Sequence, residues 1–555
     1  MAGAENELVF VPLGGLGEIG MNAALYGFGR ARDRKWLMID LGVAFAGEDL
    51  PGIDLIMPGM AFAEDQKKNL VGIVLTHAHE DHFGAVADLW PKLGAPLYCT
   101  NFAADLLEVR RLSEPGAPKV PIRRIGVDSR FSLGPFDLEM IPVAHSIPES
   151  CAVAIRTPLG TVLHTGDWKI DPTPVLGPPT NEQRLREIGD EGVLALICDS
   201  TNITRDGISP SEKDVAAGLK EIILASPGRV LVTTFASNLG RVRSVCEAAQ
   251  AAGREVIVAG RAMERVVQIG AELGILKGLP AFRSIDAFPR IPRDKVVVLV
   301  TGSQGEPRAA LARIAAGEYP DIKLTSGDRV IFSSRPIPGN EKDINKVVNA
   351  LALQYIDIIT DRHGLVHVSG HPRRDEVRQM YQWTRPKIAI PAHGEALHLT
   401  EHVAFAKQQG VQHAIRAVNG EMVRLAPGDP AIVKTGLASR IVKDGVILDT
   451  VEGAVNDRRK LSFAGIVAVA LAIDDRGQIV ADPEIETTGI PEFTDDGENI
   501  AELALDALEH AFKSLPKGKK RDAGAVQEAI RRAVRGAIAD VWDKKPICQV
   551  FVLEV

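Results

Sequence analysis

The sequence predicts an α/β protein of several domains, and three observations carry that expectation. The first 200 residues are rich in short strands with few helices. After Ser209-Pro210 strands alternate with helices, and the last hundred residues read strand, strand, two helices, strand. At roughly 150 residues per domain, 555 residues suggest three or four domains. A composition of 45% hydrophobic and 25% charged residues is that of a globular protein with large cores. It excludes collagen-like, disordered and disulfide-scaffold classes.

Strands are expected at 8–13, 23–27, 36–41, 71–76, 95–99, 138–144, 151–157, 161–165 and 194–198, each an apolar run between Gly and polar turns. The stretch 211–225 has an apolar stripe at helical spacing, with Ser211 or Ser209 placed to cap it. Strand 229–235, a helix near 239–252, strand 255–260, a helix near 261–272, and strands 296–300 and 330–334 continue the alternation. Strands separated by helices make a parallel sheet covered on both faces. Segments 365–371 and 387–395 read again as strands with polar tips. In the last unit, strands 463–473, 478–486 and 547–554 frame helices 498–513 and 524–541. The expected division is 1–208 and 361–440 as one discontinuous domain, 209–360 inserted into it, 441–460 as linker, and 461–555 as a small α+β domain.

The charge balance is 64 basic against 72 acidic residues, a net of −8. A globally acidic chain does not announce a nucleic-acid binder, although a local groove can be basic. The five cysteines are scattered without a CxxC pair, which argues against a cysteine zinc site and fits a reducing compartment. The N-terminal residues lack a signal-peptide pattern, and the longest apolar stretch, 463–473, is shorter than the about 20 residues a membrane span needs. The expectation is a cytoplasmic protein without membrane attachment.

The chemistry concentrates in Thr76-His77-Ala78-His79-Glu80-Asp81-His82, directly after a strand. Packing does not call for three histidines and two carboxylates within six positions; imidazole and carboxylate are metal ligands. On a tight loop entering a helix, His77 and His79 would face one metal while Asp81 and His82 reach a second. Further donors at strand ends are His145, Asp167 and His393, and Asp40 would orient a ligand histidine from behind. Gly15-Leu-Gly17-Glu-Ile-Gly20 fits a dinucleotide fingerprint, with Asp40 20 residues beyond. The intervening residues offer no long amphipathic helix, so the glycines are expected to shape a loop beside the metals. His367 and His371 lie on one face of the expected strand 365–371, which marks both as functional candidates.

The HxHxDH pattern with a later His, an Asp and a final His resembles the metallo-β-lactamase superfamily, whose fold is an αββα sandwich. That resemblance implies one metal on His77, His79 and His145, another on Asp81, His82 and His393, and Asp167 bridging. The insert between Asp199 and His371 resembles the β-CASP branch of nucleases, whose added motifs Asp199, His371 and His393 match in order. Within the branch the motifs resemble the bacterial ribonuclease J family: LGGLGEIGMN (13–22), THAHEDHFG (76–84), GDWKID (166–171), CDSTN (198–202), TTFASNLGR (233–241), TGSQGEP (301–307), SSRPIPGNE (333–341), HVSGH (367–371) and PAHGE (391–395).

The resemblance implies a ribonuclease with two Zn²⁺ per subunit, Mn²⁺ or Mg²⁺ being admissible at one position. It implies 5′→3′ exonuclease and endonuclease action in mRNA decay and rRNA maturation. Two metals would activate a water and neutralise charge on the phosphodiester, leaving 5′-phosphate and 3′-hydroxyl ends. Asp81 would add basicity near the water, and His371 held by Asp199 would protonate the leaving oxygen. Ser237, Asn238, Ser333, Ser334, Gly339, His367, Ser369 and His371 are candidates for a 5′-monophosphate pocket. The implied partners are single-stranded RNA, a second copy of the chain as homodimer or tetramer, and other RNA-decay proteins. Lys517, Lys519, Lys520 and Arg521 read first as a solvated loop, second as a patch for nucleic acid. Competing readings are a thioester or lactone hydrolase of the same superfamily, a non-catalytic RNA-binding protein, and a 3′-end endonuclease of the β-CASP branch.

Overall fold

A computed structural model describes residues 5–47, 49–337, 339–448 and 453–555. They form two compact units, Met1–Ala44 with Ile56–Arg440, and Phe45–Leu55 with Ile441–Val555.

The larger unit is built on two facing sheets. One has eight strands, in the order Ala431–Lys434, Met422–Ala426, Glu7–Gly14, Ala23–Gly29, Lys35–Ile39, Leu70–Val74, Leu97–Cys99 and Ile122–Arg124. The other has seven, in the order Arg130–Leu133, Phe136–Pro142, Cys151–Thr157, Gly160–His164, Val193–Asp199, Ile388–Ala392 and His413–Ala414. Phe10, Tyr26, Leu37 and Val74 from the first meet Met140, Val153, Ile155, Ile197 and Ile390 from the second in a dry core. On the far face of the seven-stranded sheet, Trp168, Leu185, Ile188, Met380, Trp383 and Phe405 form a further layer, drawn largely from helices Glu182–Glu191, Arg374–Thr384 and Ala396–Gln408. This is the αββα sandwich expected from the motifs.

The insert carries a five-stranded sheet, Glu255–Ala259, Val296–Val300, Val230–Thr233, Arg329–Phe332 and Asp357–Ile359, parallel throughout. Val296–Val300 is buried at every residue, which is why it reads as an unbroken apolar run rather than an alternating one. Ser211 caps helix Glu212–Leu224 by accepting from the Lys213 N–H, in a capping box with Asp214. The chain re-enters the first domain through Ile388–Ala392, which pairs parallel to Val193–Asp199. Parallel pairing needs a long crossover, and here the whole insert is that crossover.

The smaller unit has a sheet in the order Glu484–Thr488, Ile466–Ile473, Ile547–Glu554, the last two parallel over eight residue pairs. Val467, Val469, Leu471 and Ile473 point to one face, onto Leu508, Ile530 and Val534 of helices Ile500–Ser514 and Ala523–Trp542.

Several expectations are corrected. The stretch 441–460 is no open linker: Arg440–Asp444 pairs with Val446–Leu448, and Ala454–Ala464 is a helix that also takes residues 463–464 from the expected strand. Residues 449–452 lie outside the described ones. The strand expected at 478–486 begins later and ends later, at Glu484–Thr488. Residues 365–371 form no strand, because side chains rather than a neighbouring strand satisfy their backbone. The first 200 residues also hold the helices Asn101–Ser113 and Glu182–Glu191, whose polar faces masked their apolar stripe.

Candidate metal centre

The histidine-rich loop leaves strand Leu70–Val74 and enters the short helix Glu80–Phe83. Asp40 fixes its shape. One carboxylate oxygen accepts from the Thr76 N–H (2.7 Å); the other accepts from the Thr76 hydroxyl (2.8 Å) and lies 2.7 Å from His82 Nδ1. That last contact leaves His82 Nε2 facing Asp167. Gly42 passes so close that a Cβ there would stand 1.7 Å from the Asp81 carbonyl oxygen. Asn22 donates its main-chain and side-chain N–H to that same carbonyl.

Two donor groups result. The first joins His77, His79, His145 and Asp167; the second joins Asp81, His82, Asp167 and His393. In the first, His79 Nδ1 lies 3.2 Å from His77 Nε2 and 3.0 Å from His145 Nε2, and Asp167 Oδ2 is 3.7 Å from both latter nitrogens. In the second, the same Oδ2 lies 3.2 Å from His82 Nε2 and 3.7 Å from His393 Nε2, while Asp81 is 2.9 Å from His393 Nε2. A tetrahedral site with bonds of about 2.0–2.1 Å has edges of roughly 3.3 Å, so these spacings suit ligands sharing an ion. Asp167 Oδ1 is buried with no hydrogen-bond partner, a group that a cation would satisfy. The donor set fits two divalent metal ions with Asp167 common to both.

The outward nitrogens are pinned. His145 Nδ1 meets the Gly370 carbonyl at 2.8 Å, and His393 Nδ1 meets the Thr201 hydroxyl at 2.7 Å. Burial first, and the neighbouring imidazoles next, hold His77 and His145 well below the usual histidine range. Burial brings His79 to about 4. These rings are therefore neutral at pH 7, the form that binds metal. His82 and His393 go the other way: burial would lower them, but Asp167, Asp81 and, for His82, Asp40 raise them. The surrounding imidazoles keep Asp81 and Asp167 ionised despite burial.

A third group, Asp199, His371 and His393, adjoins the first two. His371 Nδ1 lies 2.7 Å from Asp199 Oδ2, and Asp199 Oδ1 accepts from the Thr201 N–H (2.9 Å) and hydroxyl (2.8 Å). Burial opposes the charged form of His371, but Asp199 and Asp167 raise it to about 9. His371 is the partly exposed member; Asp199 and Asp167 are enclosed.

The phosphate-pocket candidates divide. His367, Ser369 and His371 share the irregular segment against the metal groups, where Asn202 donates to Ser369 Oγ and to the His371 carbonyl. His367 Nδ1 is buried without a partner. Ser333 is corrected: its hydroxyl is fully buried and bonded to Arg241 and the Val366 carbonyl, so it supports the segment rather than facing a ligand. The Asn238 side-chain oxygen caps helix Leu239–Ala251, and the Gly339 N–H is taken by Glu341. Ser237 is half-buried, and Ser334 Oγ reaches the Ser303 carbonyl only at 3.5 Å. Sequence reasoning missed Thr201 and Asn22, although both lie inside motifs it singled out.

The glycine-rich loop holds no dinucleotide signature in space. Leu16–Gly17 pairs with Gly394–Glu395, and the Gly15 carbonyl accepts from the His393 N–H at 2.8 Å. The loop buttresses a metal donor. In the basic run, Lys517 and Lys519 are exposed, whereas Lys520 folds over the Phe512 ring. Among the described residues no helix is long and apolar enough to cross a membrane.

Comparison with known proteins places this geometry. The metallo-beta-lactamase superfamily model matches residues 22–261, and that of the Zn-dependent metallo-hydrolase RNA specificity domain matches 355–416. A crystal structure of a protein of unknown function from Enterococcus faecalis V583 shares the fold (TM-score 0.53, 16% identity, 75% of this chain and 100% of that one). The chain is thus a metallo-β-lactamase-type protein with an α/β domain inserted into it.

The models for "Ribonuclease J, beta-CASP domain" and "Ribonuclease J C-terminal domain" match residues 227–351 and 453–555. The chain is 52% identical to a ribonuclease J of Sinorhizobium meliloti over 99% of its length and 98% of that protein's. It is 36% identical to one from Mycolicibacterium smegmatis (98% and 96%) and 33% to one from Thermus thermophilus (100% and 96%). The chain belongs to the ribonuclease J family of metal-dependent ribonucleases.

Proposed function

We propose that this protein degrades single-stranded RNA 5′→3′ from a monophosphate end, with endonucleolytic cleavage at the same centre, in mRNA decay and rRNA maturation. The observation that carries the reading is the Asp199–His371 pair, 2.7 Å apart and adjoining the paired donor groups. A hydrolase of small thioesters or lactones has no need of an acid so placed, nor of a second lobe over the site.

Zn²⁺ is the metal the nitrogen-rich donor set favours, with Mn²⁺ or Mg²⁺ admissible at one position. Metal ions at His77, His79, His145, Asp81, His82, Asp167 and His393 would supply Lewis acidity, lowering the pKa of a water and countering charge on the phosphoryl group. The remaining work falls to the protein. Asp199 holds His371 through Nδ1 and keeps it protonated, so its other nitrogen delivers a proton to the departing 3′ oxygen. Asp81 adds negative charge where the attacking water loses its proton. Ser369, His367 and the nearby backbone N–H groups receive the 5′-phosphate, which threads the strand in one direction. The protein acts in the cytoplasm as a homodimer or tetramer, alongside other RNA-decay proteins, through its C-terminal domain (461–555).

The test is a digestion time course on one RNA carrying a 5′-monophosphate, triphosphate or hydroxyl. Rapid mononucleotide release from the monophosphate form alone supports the reading. Internal fragments indifferent to the 5′ group would refute the pocket, and no cleavage of any RNA would return the small-molecule hydrolase.

A further inference from the structure

Four charged side chains lie fully or almost fully buried between the metal-bearing domain and the insert: Lys169 (0% exposed), Asp171 (1%), Glu212 (5%) and Arg241 (0%). Along the chain they run cation, anion, anion, cation. Lys169 Nζ is 2.9 Å from Asp171 Oδ2 and 3.9 Å from Glu212 Oε1, and Arg241 donates to Glu212 at 3.0 Å. Asp171 also accepts from the Ser211 hydroxyl and the Glu212 N–H, tying it to the start of helix Glu212–Leu224.

Stability does not explain them. Well-packed apolar residues of similar volume usually hold a seam as firmly as buried ion pairs, and often better. What buried charges add is directional geometry, and here both ends of the row meet functional segments. At one end Lys169 stands two residues beyond Asp167, and its N–H bonds the Ala144 carbonyl beside His145 (2.8 Å). At the other end Arg241 donates to the carbonyls of Ser333 (3.0 Å) and Val366 (3.1 Å), and Val366 precedes His367. The segment 365–371 has no strand partner; Arg241 and Ser333 hold its first turn at Val366, while Asn202 and His145 hold its end at Ser369, Gly370 and His371.

We infer that Lys169, Asp171, Glu212 and Arg241 form a buried positioning rail that sets the spacing between the 5′-phosphate pocket and the metal centre, and so selects release of single nucleotides. The inference rests on the 5′-exonuclease reading above. None of the four touches the substrate; they act through Val366, Ser333 and the Asp167 strand end.

The test compares wild type with Arg241→Lys, which keeps a cation for Glu212 but lacks the planar fork that spans several acceptors. Substrates are one RNA with a 5′-monophosphate or 5′-hydroxyl, and the same RNA circularised. Charged hydrogen bonds of this kind are worth roughly a ten- to hundred-fold change, so R241K should lose that much monophosphate preference. Its products should also spread from mononucleotides to mixed lengths. Bound metal and the rate on circular RNA should stay within about two-fold of wild type. Retained preference and mononucleotide products would overturn the rail alone. Equal losses on linear and circular RNA would reduce it to a structural element and also overturn it. A wild type without monophosphate preference would overturn the rail together with the reading beneath it. Should R241K fail to fold, the charge-balanced pair Lys169→Met with Asp171→Asn is judged by the same outcomes.

Discussion

Replacing Asp199 by Asn isolates the proton that leaves with the 3′ oxygen. The side chains are nearly isosteric, and Thr201 can still donate to the amide oxygen as it does to Asp199 Oδ1. What disappears is the charge 2.7 Å from His371 Nδ1, the first of the charges that hold this ring near 9 rather than 6.5. The acid must be protonated to work, so activity falls as pH rises through its pKa. Losing Asp199 lowers that pKa and brings the fall to lower pH, by roughly one to two units. A fall of that size leaves His371 about one-half to one-tenth protonated at pH 8, so D199N should lose about two- to ten-fold there, or about 0.4–1.4 kcal/mol of barrier, and more at higher pH. The assay is single-turnover cleavage of a 5′-monophosphate oligonucleotide across pH, with oxygen or bridging sulfur as the first 3′ leaving atom. A thiol has a pKa near 8.5 and departs without a donated proton. The deficit should therefore vanish on sulfur. An equal deficit on both linkages, with bound metal unchanged, would refute the general-acid assignment.

Three further outcomes are expected. Asp81→Ala removes a donor from the second group only; mass spectrometry should find about one metal equivalent lost and circular dichroism an unchanged fold, with cleavage abolished. Glu139 is buried, yet Arg184, Arg156 and Arg130 hold it at about 2 against an ordinary 4.5. Its stabilisation is therefore present above pH 4.5 and disappears as pH falls toward 2, so Glu139→Gln should be less stable at pH 7 and show a shallower acid unfolding curve by fluorescence. Phe551 and Leu553 project from the C-terminal sheet, 55% and 59% exposed, opposite the face that packs on the helices. Phe551→Asp should yield monomers by light scattering, and an unchanged mass would remove this face from the assembly.

The sequence made the metal donors legible because they sit in one hexapeptide and at the tips of apolar strands, where few other residues compete as ligands. Strands 151–157, 296–300 and 547–554 and helix 261–272 were legible to the residue, since burial imposes unbroken or evenly alternating apolar patterns. The segment 365–371 misled for a physical reason. Its apolar–polar alternation is that of a strand, but its carbonyls are met by Arg241 and Asn202 from elsewhere in the chain. Ser333 misled likewise: a serine at a strand end looks available, and only the fold reveals Arg241 and Val366 around it. Long-range partners of this kind leave no local periodicity to read.

The donor groups draw on residues 77–82, on 145 and 167, and then on 393, which is aligned only when Ile388–Ala392 lies beside Val193–Asp199. Synthesis of a polypeptide at about 5–20 residues per second takes on the order of ten seconds or more to pass from the third of these to the last. Throughout that interval a ribosome-tethered intermediate carries most of a nuclease but not a closed one. Its second donor group lacks His393, and the partner of Asp199, His371, is still missing or undocked. The order of residues along the chain thus makes the second donor group the last part of the centre to be completed.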